Sequence, residues 1–294
     1  MLTTRSQRWR DRRSLFVSND TVIEPSRYAV DVVSHEIARA FLADHHYLPR
    51  YPAAQLACGL FGPGAAGRSS LVGLIVFGVP ASNAVICRHT GYADAARGCV
   101  LQRLLCLPSV AANGESFFTA RAFRLLRQAK PAIDAVVSFS DPAFGHCGVV
   151  YAALSGAYRG TTRPRTVLRL AGQTISGRAL SKIRSLDSGH GGAIAHLVDL
   201  GAPAPMSGEH PADWLTRLTN RGILTRDRQS PLFTYCFELT RDARRTGQDL
   251  PRLAYPRRSD VIRDRLSQGV NGTTQDRFSS PGILRREAET FVRN

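Results

Sequence analysis

The chain has 294 residues, 43% of them apolar, enough for one large packed domain or two small ones. Lysine and arginine together number 39 against 23 aspartates and glutamates, a net charge of +16, and Lys130 and Lys182 are the only lysines. No apolar run approaches the roughly 18 residues of a membrane span. The start, with Arg5, Arg8, Arg10, Arg12 and Arg13, lacks the apolar block of a secretion signal, so no membrane association and a cytoplasmic location are expected.

In chain order, residues 1–28 read as a basic, aperiodic arm. From Asp31 to Ala43, Val33, Ile37, Ala40 and Phe41 recur at helical spacing, with Asp31 or Ser34 as cap, and Pro49 closes the following DHHYLP. Ala54 to Phe61 and Leu71 to Val79 read as a hairpin joined by GPGAAGRSS. Residues 80–98 read as loop. Val100 to Leu107 is a strand with Arg103 among apolar neighbours, and Pro108 ends it. A helix from about Phe117 to Pro131 follows, with Asn113 as N-cap and Glu115 in the first turn. Next come a strand from Ile133 to Ser140, a loop through Gly148, a short helix from Val149 to Leu154 and a strand near Thr166 to Leu170. Residues 174–228 read as a largely helical insertion, and Pro231 to Leu239 is a final strand. Residues 240–294, rich in Arg, Pro, Gly and Ser, read as a basic flexible tail with at most one short helix. Residues 29–239 thus form an α/β or α+β domain on one central mixed sheet flanked by helices.

The six cysteines, at 58, 87, 99, 106, 147 and 236, contain no C-x-x-C pair and several sit in apolar runs. They read as free buried thiols rather than a disulfide or zinc framework. The excess of base over acid is spread over the arm, the body and the tail, the electrostatic footprint of a nucleic-acid binder.

The densest chemistry lies between Val136 and Gly160, VVSFSDPAFGHCGVVYAALSGAYRG. Asp141-Pro142 stops an apolar strand, so a carboxylate stands at a strand end, where open sheets place ligands. Phe144, His146, Cys147 and Tyr151 follow within ten residues. Arg103 on its apolar strand requires a carboxylate or phosphate, with Asp141 as the candidate, in a functional or a sheet-organising ion pair. Asn113, Glu115 and Ser116 mark a strand-to-helix turn whose N–H groups either bind an anion or only cap the helix. His46 and His146, with an acid, are candidate metal ligands, proton carriers or structural residues.

Asp141-Pro142-Ala143-Phe144 is similar to the Asp/Asn-Pro-Pro-Tyr/Phe motif of amino-group DNA methyltransferases, but the glycine-rich cofactor loop of those enzymes is missing. A broader likeness is to the Mom family of bacteriophage DNA adenine modification proteins. HHYLP, the Arg103 strand, NGESFF and the whole Ser138 to Gly160 block resemble it, over about residues 35–239. The resemblance implies a GNAT acetyltransferase-like fold. The implied activity converts adenine in double-stranded DNA to its N6-carbamoylmethyl derivative, which defeats host restriction. By matched position it makes Asp141, Arg103, Ser116 and Tyr151 the catalytic set, with His46, Tyr47 and His146 near it; Phe144, Asn113 and Glu115, from the Asp-Pro motif and the helix start, complete the candidate substrate contacts. It also brings in iron, with His46 and His146 as ligands, and an acyl donor such as acetyl-CoA. However, the loop before Ser116 lacks the Gln/Arg-x-x-Gly-x-Gly/Ala pattern that holds coenzyme A. The competing expectations are a GNAT N-acetyltransferase acting on a protein or small amine and a non-catalytic Arg-rich DNA-binding protein.

Overall fold

The apolar runs become strands of one mixed sheet. A computed structural model describes residues 21–46, 50–63 and 68–257. The sheet comprises β1 (Ala29–Val32), β2 (Ala54–Pro63), β3 (Ser69–Gly78), β4 (Gly98–Cys106), β5 (Ala135–Ser140) and β6 (Ala157–Thr161), together with β10 (Phe233–Glu238). Its order is β1-β2-β3-β4-β5-β10-β6. Every neighbouring pair is antiparallel except β4–β5. That parallel pair needs a crossover, supplied by a long helix, α3 (Gly114–Ala129).

Alternation along the strands gives the sheet two apolar faces. Phe118, Ala122 and Leu126 of α3 bury against Ile75, Phe77 and Leu101 on one. On the other, Ala38 and Leu42 of α1 (His35–His45) meet Ala57, Leu74, Val76 and Leu105. Ile86 of α2 (Asn83–Thr90) packs with Val100 and Val137. Each such side chain contributes roughly 1.5–3 kcal/mol on burial. The cysteines are free and all but Cys87 are buried. Burial pushes the thiols of Cys58, Cys99 and Cys236 up to about 12, which makes them packing groups.

Several elements depart from expectation. The first helix begins at His35, capped by Ser34, whose Oγ accepts from Ile37 N. Asp31 lies instead in β1, paired with Gly59, because the alternation Val30-Asp31-Val32 suits an edge strand. Residues 83–90, expected as loop, are α2. The strand near Thr166 is real but lies outside the central sheet, where the expected order had not included β6.

Between β6 and β10 the chain builds a unit of its own. β7 (Arg165–Leu170), β8 (Gln173–Ile175) and β9 (Leu224–Gln229) form a second sheet in the order β8-β7-β9. Three helices, α5 (Gly177–Ser185), α6 (His190–Asp199) and α7 (Pro211–Asn220), share its core around Trp214, Leu180, Ile183 and Leu218. The expected helical insertion is therefore helices plus strands. A bidentate Arg217–Glu209 pair ties the loop before α7 to that helix and holds the Glu209 carboxyl down to about 2.

After β10, α8 (Arg241–Thr246) and the chain to Arg257 lie against the sheet. Arg159 of β6 is buried with Glu238 of β10 at 2.7 Å and donates to the carbonyls of Leu250 and Pro251. Leu253 N donates to Tyr158 O, and Tyr255 stacks on Tyr235. The arm through residue 20 and the tail from 258 lie outside the described residues. Among the described residues no helix is long and apolar enough to cross a membrane.

Candidate active site

The site follows from how β4 and β5 are tied at one end only. Before β5, Asp134 accepts from Arg97, just ahead of β4, and from Arg127 of α3 at 2.8 Å. Asp134 N also donates to Arg97 O at 2.8 Å. From this clamp the parallel ladder runs from Gly98↔Ala135 only to Leu101↔Ser138. Beyond it the strands continue without pairing to each other, and a cavity of about 140 Å³ occupies the split. Its walls are Leu101 to Leu104 on β4, Phe139 to Asp141 on β5, Gly145 to Tyr151, and His46 at the end of α1. An apolar cavity of about 150 Å³ encloses benzene, so this volume is of the order needed for one small planar aromatic group.

A bulge aims the Arg103 side chain. Phe77 pairs with Leu101 and Val76 with Arg103, leaving Gln102 as the extra residue of β4. Leu101 and Leu104 both pack in the core under α3. Gln102 donates to Val79 O at 2.7 Å, and Arg103 donates to Gln102 O and to Arg50 O.

Asp141 ends β5. Its Oδ1 accepts from Ala143 N at 2.9 Å, and its carbonyl accepts from Phe144 N and His146 N. This fixes the loop that carries Cys147 and Tyr151 into the wall. Burial raises the Asp141 carboxyl above its ordinary value, against the Ala143 hydrogen bond and the charge of Arg165. The cation facing it is Arg165 of β7, 3.7 Å away, where Arg103 had been expected. Gly148 has φ +76°, and a Cβ there would stand 2.4 Å from the Tyr235 ring, so only glycine lets the loop close. Tyr235 in turn donates to Cys147 O at 2.5 Å and packs beside Tyr151 at 5.2 Å between ring centroids.

The structure thus brings His46, Arg103, Asp141, His146 and Tyr151 to one cavity. Phe144 is exposed outside it, with its ring 6.4 Å from that of His146. Tyr47 lies outside the described residues. Asn113, Glu115 and Ser116 start α3 and are not in the cavity wall. Asn113 is the N-cap in a left-handed conformation without a side-chain cap bond, and Ser116 Oγ donates to its carbonyl. Sequence reading passed over Gln102, Arg165 and Ser140. Ser140 lines the cavity, is 4% exposed, and its hydroxyl faces that of Tyr235. The alternation Ser138-Phe139-Ser140 was the available signal for it.

The cofactors implied by the resemblance meet different fits. Among the described residues no group of three or more His, Cys, Asp or Glu side chains is disposed to hold a metal ion. In the loop after β4, the N–H groups of Val110, Ala112 and Gly114 already donate to Leu107, Thr21 and Ala111 carbonyls. Thr21 to Ile23 lie along that loop, with Val22 bridging Ala112, so it presents no cradle for a pyrophosphate. Neither group enters the chemistry below.

The Mom protein family matches residues 27–257, which covers the central sheet, the inserted unit and the cavity. The chain belongs to the Mom protein family. Membership of this family suggests phage DNA modification. The comparison with curated proteins finds no match. Among solved structures, the chain is similar to malonyl-CoA decarboxylase from Rhodopseudomonas palustris. The identity is 12% over 80% of this chain and 60% of that one, with a TM-score of 0.35. The chain therefore spans about 60% of that protein's length.

Proposed function

We propose that this Mom-family chain modifies the exocyclic amine of adenine in duplex DNA, adding an N6-carbamoylmethyl or related group on a GNAT-like scaffold. The observation that carries this reading is a cavity of about 140 Å³ with a half-buried carboxylate of raised pKa in its wall. An adenine inside a duplex is stacked, so it is turned out into such a pocket before it reacts. The N6 amine is a poor nucleophile. Asp141, accepting its hydrogens, raises the electron density on nitrogen and takes the proton as the new N–C bond forms and the donor's carbon–leaving-group bond breaks, the electron pair departing with the leaving group. A carboxyl group held above its usual range is the better base for that step.

The other walls have matching roles. Phe139 and Tyr151 give the base apolar contact, and His146 lines the same cavity as the carboxylate. Arg103, fixed by two carbonyls, offers positive charge from the β4 side to a donor's developing charge. Ser116, with Asn113 and Glu115 at the start of α3, is proposed to act on the donor side. The chain's +16 charge supports a polyanionic substrate.

The test is protection of DNA in cells. Expression of the chain should render plasmid DNA resistant to adenine-sensitive restriction enzymes. Asp141→Ala, which removes the base at a site whose loss commonly lowers rate 10²–10⁴-fold, should leave the DNA sensitive while the protein remains folded. Full protection by Asp141→Ala would overturn the assignment of the base.

A further inference from the structure

The inserted unit touches both lips of the cavity. β7 enters with Arg165, whose Nη2 is 3.7 Å from Asp141 Oδ2 on the β5 lip. Beyond the β7–β8 hairpin, Arg178 of α5 donates to Pro80 O at 3.2 Å. Pro80 follows Val79, whose carbonyl holds the Gln102 side chain of the β4 lip. Asp141 and Gln102 both line the cavity, so the unit is anchored next to both strands that wall it.

The unit carries exposed cations. Leu180 and Ile183 turn inward from α5, which leaves Arg178 and Lys182, one turn apart, on its outer side. On β9, Arg226 and Arg228 stand opposite Leu168 and Thr166 of β7 and are exposed. None of these four has an ion pair among the described residues. The acids of the unit are engaged or placed elsewhere: Asp227 is taken by Arg169 and Glu209 by Arg217, while Asp187, Asp199 and Asp213 belong to the later helices and their connections.

We propose that the unit from Arg165 to Gln229 is the element that grips the duplex. Arg178, Lys182, Arg226 and Arg228 contact backbone phosphates flanking the nucleotide turned into the cavity. The inference rests on the reading of that cavity as a base pocket. Unneutralised arginines suit phosphate because the guanidinium fork pairs with two oxygens at once. Each phosphate so neutralised releases condensed counterions, which leaves a signature in the salt dependence of binding.

The experiment measures binding of the full chain to a mixed-sequence duplex oligonucleotide, by fluorescence anisotropy across a range of salt. Two paired variants, Arg178→Ala with Lys182→Ala and Arg226→Ala with Arg228→Ala, are compared with wild type. A control removes equal charge from exposed positions on α3, Arg121→Ala with Arg124→Ala. The slope of log K against log salt should fall by roughly 0.9 for each phosphate that is no longer neutralised, about 1.8 for each unit variant, and stay unchanged in the control. Wild-type slopes in both unit variants, or an equal fall in the control, would overturn the proposal and leave the base-modification reading standing. Absence of duplex binding by the wild-type chain would overturn both.

Discussion

At Asp141, burial and hydrogen bonding pull in opposite directions. Desolvation raises the carboxyl's pKa, while the Ala143 N–H and Arg165 lower it, and desolvation is the largest effect. A carboxyl whose pKa is higher in the folded than in the unfolded chain is destabilising when ionised. That cost is present at neutral pH and disappears as pH falls through the folded-state value. Asp141→Asn keeps an oxygen for Ala143 N and removes the buried charge. It should be at least as stable as wild type in urea unfolding at neutral pH, with the advantage shrinking below the carboxyl range. A neutral-pH loss of stability would show that the Arg165 contact outweighs burial. The acid itself was legible, since Asp-Pro after an apolar strand marks a strand end. Its partner was not: Arg165 comes from a second sheet, and no local pattern joins residues so far apart in sequence.

The elements that the sequence reveals are those whose burial has a period. β2, β3, β4 and β5 are apolar runs stopped by Pro or Gly, β10 is an apolar run begun just after Pro231, and α3 carries a regular apolar stripe. α2 escapes because only Ile86 and Thr90 are buried in it. β9, LTRDRQ, escapes because its charges occupy a thin two-layer unit, and β6, AYRGT, because its inward charge is matched by tertiary contact. Arg159 in β6 is 2% exposed and its partner Glu238 is 6% exposed. Removing one member of such a pair strands the other without a counterion, at a typical cost of about 3–5 kcal/mol. Glu238→Ala should lose that much stability in chemical denaturation and release the segment around Leu250 and Pro251, read as faster amide exchange at Leu253. A loss below about 1 kcal/mol would mean that the pair adds no more than a surface ion pair does.

For the whole molecule, one clamp and one split organise function. Asp134, held by Arg97 and Arg127, fixes the near ends of β4 and β5, and the far ends part to admit a ring. The inserted unit is anchored beside the split through Arg165 to Asp141 and Arg178 to Pro80, and carries the exposed cations proposed to meet the duplex. The charge of the chain announced a polyanion, but not where it would be held, because the second sheet brings β9 beside β7 only after folding. The central claim is that the Asp141 pocket changes adenine chemically, and mass spectrometry of nucleosides from DNA of cells expressing the chain tests it most directly. The wild-type chain should yield a deoxyadenosine heavier by an N6 substituent, and Asp141→Ala should yield none; an unchanged deoxyadenosine profile with soluble wild-type protein would contradict the account.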